Sequence, residues 1–149
     1  VLLAGALRRY EAARGAVGPV VVHGDPVFSN VILERGGLRM LDMRGRSGDQ
    51  LTVRGDALYD YAKVYQSLSG YDHVLHDAPV DRRNPQFVQL VEQRVEQLYG
   101  PAAAWLRPLA ASLLFTLLPL HAEEAKRLRY IQLAWNLVQH CEPEVCTAL

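Results

Sequence analysis

The sequence has little lysine, and it has no excess of charge of either sign. Lysine and arginine together number 16, of which only Lys63 and Lys126 are lysines, and aspartate and glutamate also number 16. Proteins that bind nucleic acids or anionic lipids usually carry a surplus of basic residues on one face. The balanced charge therefore predicts that neither a nucleic acid nor a membrane surface is a partner.

Cysteine occurs only at Cys141 and Cys146. Together with His140 they are too few to complete a zinc site, which needs further ligands at suitable spacing. Two cysteines without a wider framework are typical of a reducing compartment. Since no stretch has the composition of a secretory signal, we expect a cytoplasmic protein.

Long hydrophobic runs are also absent. The most apolar stretch, residues 109–120, is shorter than the roughly 20 residues that cross a bilayer, so it predicts a core helix. Hydrophobic residues make up 50% of the chain and charged residues 21%, which is ordinary for a globular protein. We therefore expect residues 1–149 to form a single domain.

The first part of the chain is predicted to contain one helix and several short strands. An apolar repeat over residues 3–10 predicts a helix that the glycines of 15–18 end. Val20–Val22 is typical of a buried strand. Residues 31–41 predict a β-hairpin with Gly36 and Gly37 at its turn, and a polar loop is expected over 44–55.

The rest of the chain is predicted to be helical. Apolar residues at helical spacing, with Asp56, Asn84-Pro85 and Pro101 as start signals, predict helices over residues 58–68, 84–100, 101–118 and 122–139. Pro108 is placed to kink or split the third helix. The residues expected to face the core of the last helix are Leu128, Ile131, Trp135 and Val138, and Trp105 is also expected in the core. The predicted class is α+β, mostly α, with a short β-hairpin seated on a helical bundle.

Three polar residues are predicted to meet at the mouth of the hairpin. Asp25 closely follows the first strand, Asn30 lies five residues later, and Asp42 ends the second arm of the hairpin. Two carboxylates and an amide oxygen suit Mg²⁺, which prefers oxygen ligands. A magnesium ion with few protein ligands keeps positions for phosphate oxygens, as in phosphoryl-transfer enzymes.

Three motifs in this region resemble those of the aminoglycoside phosphotransferase and choline kinase family. Residues 22–33 (VHGDPVFSNVIL) resemble its H-G-D-x-x-x-x-N motif, 41–45 (LDMRG) its second motif, and 55–62 (GDALYDYA) its third. The resemblance implies a protein-kinase-like fold, of which this chain matches the C-terminal lobe. It implies a kinase that transfers a phosphoryl group from ATP or GTP, with Mg²⁺, to an alcohol group of a small molecule.

The resemblance also implies a role for individual residues. Asp25 would be the catalytic base, and Asn30 and Asp42 would hold the metal ions that bridge the nucleotide phosphates. His23 would pack under the loop and bind backbone, and Gly24 would allow the tight turn before Asp25. Asp60 would anchor the loop through backbone N–H groups.

Several residues have alternative interpretations. Asp60 is also placed to pair with Lys63, three residues along the same helix. Arg44 and Arg46 are as compatible with a solvated loop as with contact to a phosphate or an anionic acceptor. His73, His76 and Asp77 form a weak metal motif, and contact with the acceptor is the better interpretation.

The chain has no segment that matches the family's N-terminal lobe. Only 24 residues precede Asp25, too few for the glycine-rich hairpin, strand lysine and helix glutamate that hold the nucleotide. We therefore expect the N-lobe or a partner chain to complete the enzyme. Alone, the chain should fold and self-associate through the uncovered surface, but it should be inactive and bind MgATP weakly at most.

The acceptor and the class of function stay open at this point. Sugar-like, amino-alcohol and aminoglycoside acceptors are all compatible with the motifs, and the mild acidity of residues 70–100 favours a neutral or anionic sugar. The alternative is a non-catalytic kinase-like lobe with an assembly or regulatory role.

Overall fold

The structure, a computed structural model, describes residues 2–13 and 19–139. Within these residues the chain is α+β and mostly helical, as the sequence predicts, and its short antiparallel strands lie within residues 20–55. The predictions for the glycines of 15–18, for His140 and for both cysteines lie outside the described residues.

Helices make up the body of the described part. They are α1 (Leu2–Ala13), α2 (Ala57–Leu68), α3 (Tyr71–Leu75), α4 (Asn84–Tyr99), α5 (Leu106–Thr116) and α6 (Glu124–Gln139). Helix α5 packs against α1, α2 and α6, and α4 packs against α2. The sequence predicts α1, α2, α4 and α6 near these bounds, but it does not predict the short helix α3.

The helix starts follow from the local sequence. Asp56 caps α2, because its Oδ1 accepts a hydrogen bond from the Leu58 N–H at 2.9 Å and so satisfies one N–H group of the first turn. Pro85 lies in the first turn of α4, where a residue without an N–H group loses no helical bond. The buried Asn84 amide donates to the Leu68 carbonyl at 3.0 Å, which ties the start of α4 to the end of α2.

The third predicted helix is two elements in the structure. Residues Gly100–Trp105 form a 3₁₀ helix, and α5 begins at Leu106. Pro108 lies in the first turn of α5, where its missing N–H group is tolerated. The split that Pro108 predicts therefore falls just before it.

The core consists of two clusters of buried side chains, and α5 contributes to both. The first lies between α1, α2, α4 and α5 and includes Tyr10, Leu58, Ala62, Tyr65, Val95, Leu106, Leu109 and Leu113. The second lies between α3, α5 and α6 and includes Val74, Ala111, Leu114, Leu117, Tyr130 and Ala134. The helical run Asn84–Leu120, of 37 residues, is long and apolar enough by length and composition to cross a membrane. Its part from 106 to 117 supplies core residues, which confirms the predicted core helix for most of 109–120. The end of that stretch, Leu118–Leu120, is a 3₁₀ turn in which Leu120 is 74% exposed.

The prediction for the inward face of α6 is wrong for three of its four residues, whereas Val138 is half-buried and packs against the second cluster as predicted. Trp135 is 51% exposed, and Leu128 and Ile131 are exposed as well. The fully buried residues of α6 are Tyr130 and Ala134. Of the tryptophans, Trp105 packs against the first cluster, with its ring 5.9 Å from that of Tyr10.

The strands form three antiparallel pairs in the described residues. β1 (Val20–Val21) pairs with β6 (Arg54–Gly55), β2 (Val31–Glu34) with β3 (Gly37–Met40), and β4 (Arg46–Ser47) with β5 (Gln50–Leu51). The hairpin β2–β3 is predicted correctly, although Glu34 pairs with Gly37, so Arg35 and Gly36 form its turn. The strands β4, β5 and β6 are not predicted, because two residues are too few for an alternating pattern.

The burial expected for Val20–Val22 is not found. Val20 is 41% and Val21 67% exposed, and only Val22 is half-buried. The reason is that β1 has two residues and a single neighbouring strand, β6, so the valines are not sandwiched as in the interior of a sheet.

Candidate active site

The loop from His23 to Asn30 connects β1 to the hairpin and is tied to α2 by Asp60. The His23 N–H donates to Asp60 Oδ2 at 2.7 Å, and the Gly24 N–H donates to Asp60 Oδ1 at 2.8 Å. One carboxylate thus accepts two successive backbone N–H groups, and such charge-assisted bonds are stronger than neutral ones. These are the bonds that the resemblance assigns to Asp60, whereas the alternative partner, Lys63, binds Asp25 instead.

His23 and Gly24 shape the turn before Asp25. The Asp25 N–H donates to His23 Nδ1 at 3.3 Å, so this imidazole binds backbone. Gly24 has a φ of +83°, in the left-handed region that favours glycine. A Cβ on Gly24 would lie 2.7 Å from the Cβ of Arg44. Any larger residue at this position would therefore strain the backbone and collide with the Arg44 side chain.

Two side chains orient Asp25. Lys63 Nζ lies 3.0 Å from Asp25 Oδ1. Asn30 Nδ2 donates to Asp25 Oδ2 at 3.2 Å and to the Asp25 carbonyl at 3.0 Å. The Asp25 side chain is 39% exposed, so the carboxylate is fixed and yet accessible. Because Asn30 uses its amide nitrogen for Asp25, its amide oxygen is left for another ligand.

Asp42 reaches the same loop through the register of the hairpin. The Leu41 N–H donates to the Asn30 carbonyl at 2.8 Å, and the Arg44 N–H donates to the His23 carbonyl at 2.9 Å. Asp42 lies between these two bonds, is exposed, and has a φ of 56°, a conformation that aspartate tolerates better than most residues. The hairpin therefore brings the backbone on either side of Asp42 to the 23–30 loop.

The sequence analysis missed part of this support, which comes from one face of α2. Asp60, Lys63 and Ser67 lie at positions i, i+3 and i+7, and each contacts the 23–30 loop, Ser67 by accepting the Phe28 N–H at 3.1 Å. Positions three and four apart share one face of a helix. The signal was a polar stripe on a helix most of whose other positions are apolar, and two members of the stripe, Lys63 and Ser67, are buried.

Both arginines that follow Asp42 line a cavity beside this loop. Arg44 donates to the Tyr59 hydroxyl at 3.0 Å, and its guanidinium carbon lies 5.6 Å from the centre of the Tyr59 ring. Arg46 donates to the Gly48 carbonyl and lies 3.7 Å from Asp49. The cavity, of about 190 Å³, is lined by these two arginines, Arg54 and both residues that precede Asp25.

The segment 71–81 does not gather its two histidines into a metal site. Asp77 pairs with Lys126 at 3.0 Å and Arg129 at 3.0 Å, and His73 Nε2 lies 3.0 Å from the Asn84 amide. No group of three or more histidine, cysteine or acidic residues suited to a metal occurs among the described residues. This statement concerns groups of at least three histidine, cysteine or acidic side chains. The pair of Asp42 with Asn30, whose side chain is an amide, is not a group of that kind.

Helix α3 lies within electrostatic reach of the 23–30 loop. Burial raises the pKa of Tyr71, and the carboxylates of Asp72 and Asp25 raise it further.

Comparisons with known proteins identify no family for this chain. No family model matches the sequence, and no curated protein or solved structure matches it.

Proposed function

We propose that this chain is the C-terminal lobe of a protein-kinase-like phosphotransferase. It transfers a phosphoryl group from ATP or GTP to a hydroxyl of a small molecule. The observation that carries the proposal is the contact of Asn30 with Asp25 on a loop that Asp60 and Lys63 of α2 hold in place. Backbone bonds on either side of Asp42 join its segment to the same loop.

Asp25 suits the role of general base. Its carboxylate is oriented by Lys63 and Asn30 but remains 39% exposed, and each oxygen keeps a lone pair for an incoming hydroxyl. A base must lie within hydrogen-bond reach of the proton it accepts. In this proposal Asp25 positions the acceptor hydroxyl and takes its proton as the oxygen attacks the phosphoryl group.

Asn30 and Asp42 suit a magnesium ion by their chemistry. Asp42 offers an exposed carboxylate, and Asn30 offers the amide oxygen that its contact with Asp25 leaves available. Both are hard oxygen ligands of the kind Mg²⁺ prefers. When bound, the ion would neutralise charge on the nucleotide phosphates.

Binding of a metal–nucleotide complex to this chain is the first test. With Mn²⁺ as a paramagnetic substitute for Mg²⁺ and millimolar ATP, we expect the amide NMR signals of Asn30, Asp42 and Arg44 to broaden. Asp42→Asn should abolish this effect, whereas Asp49→Asn, on the exposed β4–β5 turn, should not. Broadening that persists in Asp42→Asn would contradict the assignment of Asp42.

Turnover is the second test and needs the lobe that covers the nucleotide. In the enzyme completed by that lobe or by a partner chain, Asp25→Asn should lower kcat at least about 100-fold, the usual minimum for loss of a positioned base. The acceptor panel should contain neutral and anionic sugars, an amino alcohol and an aminoglycoside. Near-normal turnover in the variant would refute the role of Asp25.

A non-catalytic assembly role is the second candidate, and the exposed hairpin favours it. Leu33 is 82% and Leu38 71% exposed, and they form a cross-strand pair. Exposed apolar surface of this kind marks an interaction site. This role predicts partner binding through the hairpin without any effect of Mn²⁺ and ATP on Asn30 or Asp42.

A further inference from the structure

We propose that the cavity beside the 23–30 loop binds a small oxyanion, a phosphate or carboxylate group, through Arg44, Arg46 and Arg54. All three arginines line the cavity, and the acidic residue among its lining residues is Asp56. Asp56 already accepts the Leu58 N–H as the cap of α2. The wall therefore carries a surplus of positive charge, although the whole chain is neutral.

The charges of these arginines are poorly compensated within the described residues. Arg44 binds the uncharged Tyr59 hydroxyl, and Arg54 donates to the Pro19 carbonyl at 3.3 Å. The ion pair of Arg46 with Asp49 is long, at 3.7 Å, and exposed, and such pairs contribute little. Guanidinium groups without carboxylate partners attract phosphate and carboxylate groups, and they bind two oxygens of such a group with paired hydrogen bonds.

Backbone hydrogen bonds hold the main chain of the three arginines in place around the cavity. The Arg44 N–H is bonded to the His23 carbonyl, and the Thr52 N–H donates to the Gly45 carbonyl at 3.1 Å. Arg46 lies in β4, and Arg54 lies in β6, where it pairs with Val21 of β1. These bonds fix the main-chain positions of the three arginines, so binding orders only their side chains and not the loop as well.

The size of the cavity fits a small group. A volume of about 190 Å³ exceeds several times the roughly 30 Å³ that a water molecule occupies in the liquid. The cavity has room for inorganic phosphate, for the phosphate group of a sugar phosphate, or for the carboxylate group of a sugar acid. This inference does not depend on the proposed phosphoryl transfer, since it concerns a different set of side chains from Asp25, Asn30 and Asp42.

The test is an NMR titration of this chain with inorganic phosphate at constant ionic strength and without metal. We expect saturable shifts of the Gly24 and Gly45 amides and of the side-chain Nε–H signals of Arg44 and Arg54. Arg54→Gln and Arg44→Gln should each weaken binding at least about fivefold, as for loss of a charge-assisted bond. Arg35→Gln, in the exposed hairpin turn, should leave binding unchanged.

Further ligands show whether the anion is free or part of a substrate. They also distinguish this proposal from the proposed phosphoryl transfer. Glucose 6-phosphate binding tighter than inorganic phosphate would identify the anionic group of a substrate, and equal binding would identify the free ion. Glucose should not bind the cavity. Linear shifts like those from sodium chloride, or phosphate binding unchanged in both arginine variants, would overturn the proposal. The Mn²⁺–ATP effect at Asp42 should persist in Arg54→Gln, so the two proposals fail separately.

Discussion

At the scale of single residues, the ion pair of Asp25 with Lys63 is asymmetric. The Lys63 side chain is 11% exposed, whereas that of Asp25 is 39% exposed. Removal of Asp25 therefore strands a buried ammonium group, while removal of Lys63 leaves a carboxylate that water still reaches. Removing the partner of a buried charge costs more than the intact pair contributes, because the remaining charge is left uncompensated.

This asymmetry predicts the order of stability of three variants. Asp25→Ala should lower the free energy of unfolding by about 1–2 kcal/mol, a value reduced for the exposure of Asp25. Asp25→Asn should lower it less, because an amide oxygen still accepts from Lys63. The double variant Asp25→Ala with Lys63→Met should recover most of the loss. Urea denaturation measures all three together with Lys63→Met alone, and effects of the single variants that simply add in the double variant would show that the two groups do not interact.

Asp60 gives a second prediction at this scale. Asp60→Ala removes the acceptor of two backbone N–H groups and should lower the free energy of unfolding by about 1–3 kcal/mol. Hydrogen exchange at the His23 and Gly24 amides should accelerate, since their bonds open. Asp49→Ala, with a fully exposed side chain, is the control. An unchanged melting temperature together with unchanged exchange would show that Asp60 does not hold the loop.

The sequence predicts the bonds of Asp60 but not the partner of Lys63, because that partner is distant along the chain. The bonds of Asp60 follow from the resemblance of residues 55–62 to a motif. For Lys63 the sequence suggests a local partner at helical spacing, yet its partner comes from the 23–30 loop. Pattern analysis detects neighbours within one helix, but it does not show which loop crosses that helix.

At the scale of elements, α6 shows where periodicity fails. Its sequence contains two apolar stripes at helical spacing, one with Leu128, Ile131 and Trp135, the other with Tyr130 and Ala134. Hydrophobicity alone favours the first, but the second faces α5, where Ala111 is fully buried. Small residues on both helices permit close approach of their backbones. The choice between the stripes thus depends on the partner helix, which the α6 sequence does not contain.

Glu92 of α4 connects three helices and carries the next prediction. Its Oε1 accepts the Tyr65 hydroxyl at 2.6 Å and Arg107 Nε at 2.8 Å, so it joins α4 to α2 and α5. Glu92→Ala should destabilise the chain by about 1–3 kcal/mol, because the buried Tyr65 hydroxyl loses its acceptor. Burial and this hydrogen bond both raise the pKa of Tyr65, so the variant should also lower that pKa, although burial keeps it above its ordinary value.

The control for this prediction lies one turn further along α4. Glu96 is exposed, and Glu96→Ala should change stability by less than about 0.5 kcal/mol. Thermal unfolding and an ultraviolet titration of the tyrosines measure the two effects. Equal stability of the Glu92 and Glu96 variants would show that the Glu92 contacts contribute nothing.

At the scale of the whole molecule, the helical part is packed and the strand part is not. The buried apolar residues lie almost entirely in the helices and beside them, whereas Ile32, Leu33, Leu38, Met40 and Leu51 are exposed. In the proposed function a nucleotide-binding lobe or a partner chain covers this surface. The sequence pattern correctly located the hairpin, but alternation alone does not say whether its apolar face is covered.

The hairpin has one apolar face and one more polar face. Val31 pairs with Met40 and Leu33 with Leu38, and residues two apart on a strand share a face. On the other face Arg39 and Glu34 form an ion pair at 3.1 Å. The apolar face is therefore the surface from which we expect self-association of the isolated chain.

Sedimentation velocity across a range of concentrations tests this last prediction. Burial of a leucine side chain contributes about 1.5–3 kcal/mol at most, and each 1.4 kcal/mol changes an association constant about tenfold. Leu33→Thr with Leu38→Thr keeps the strand propensity and should weaken self-association at least about tenfold. Leu120→Thr, at the exposed end of a 3₁₀ turn far from the hairpin in sequence, is the matched control and should have no effect. If the double variant associates as the unsubstituted chain does, or if the chain stays monomeric at all concentrations, the apolar face of the hairpin is not an interaction surface, and both the covering lobe and the assembly role lose their structural support.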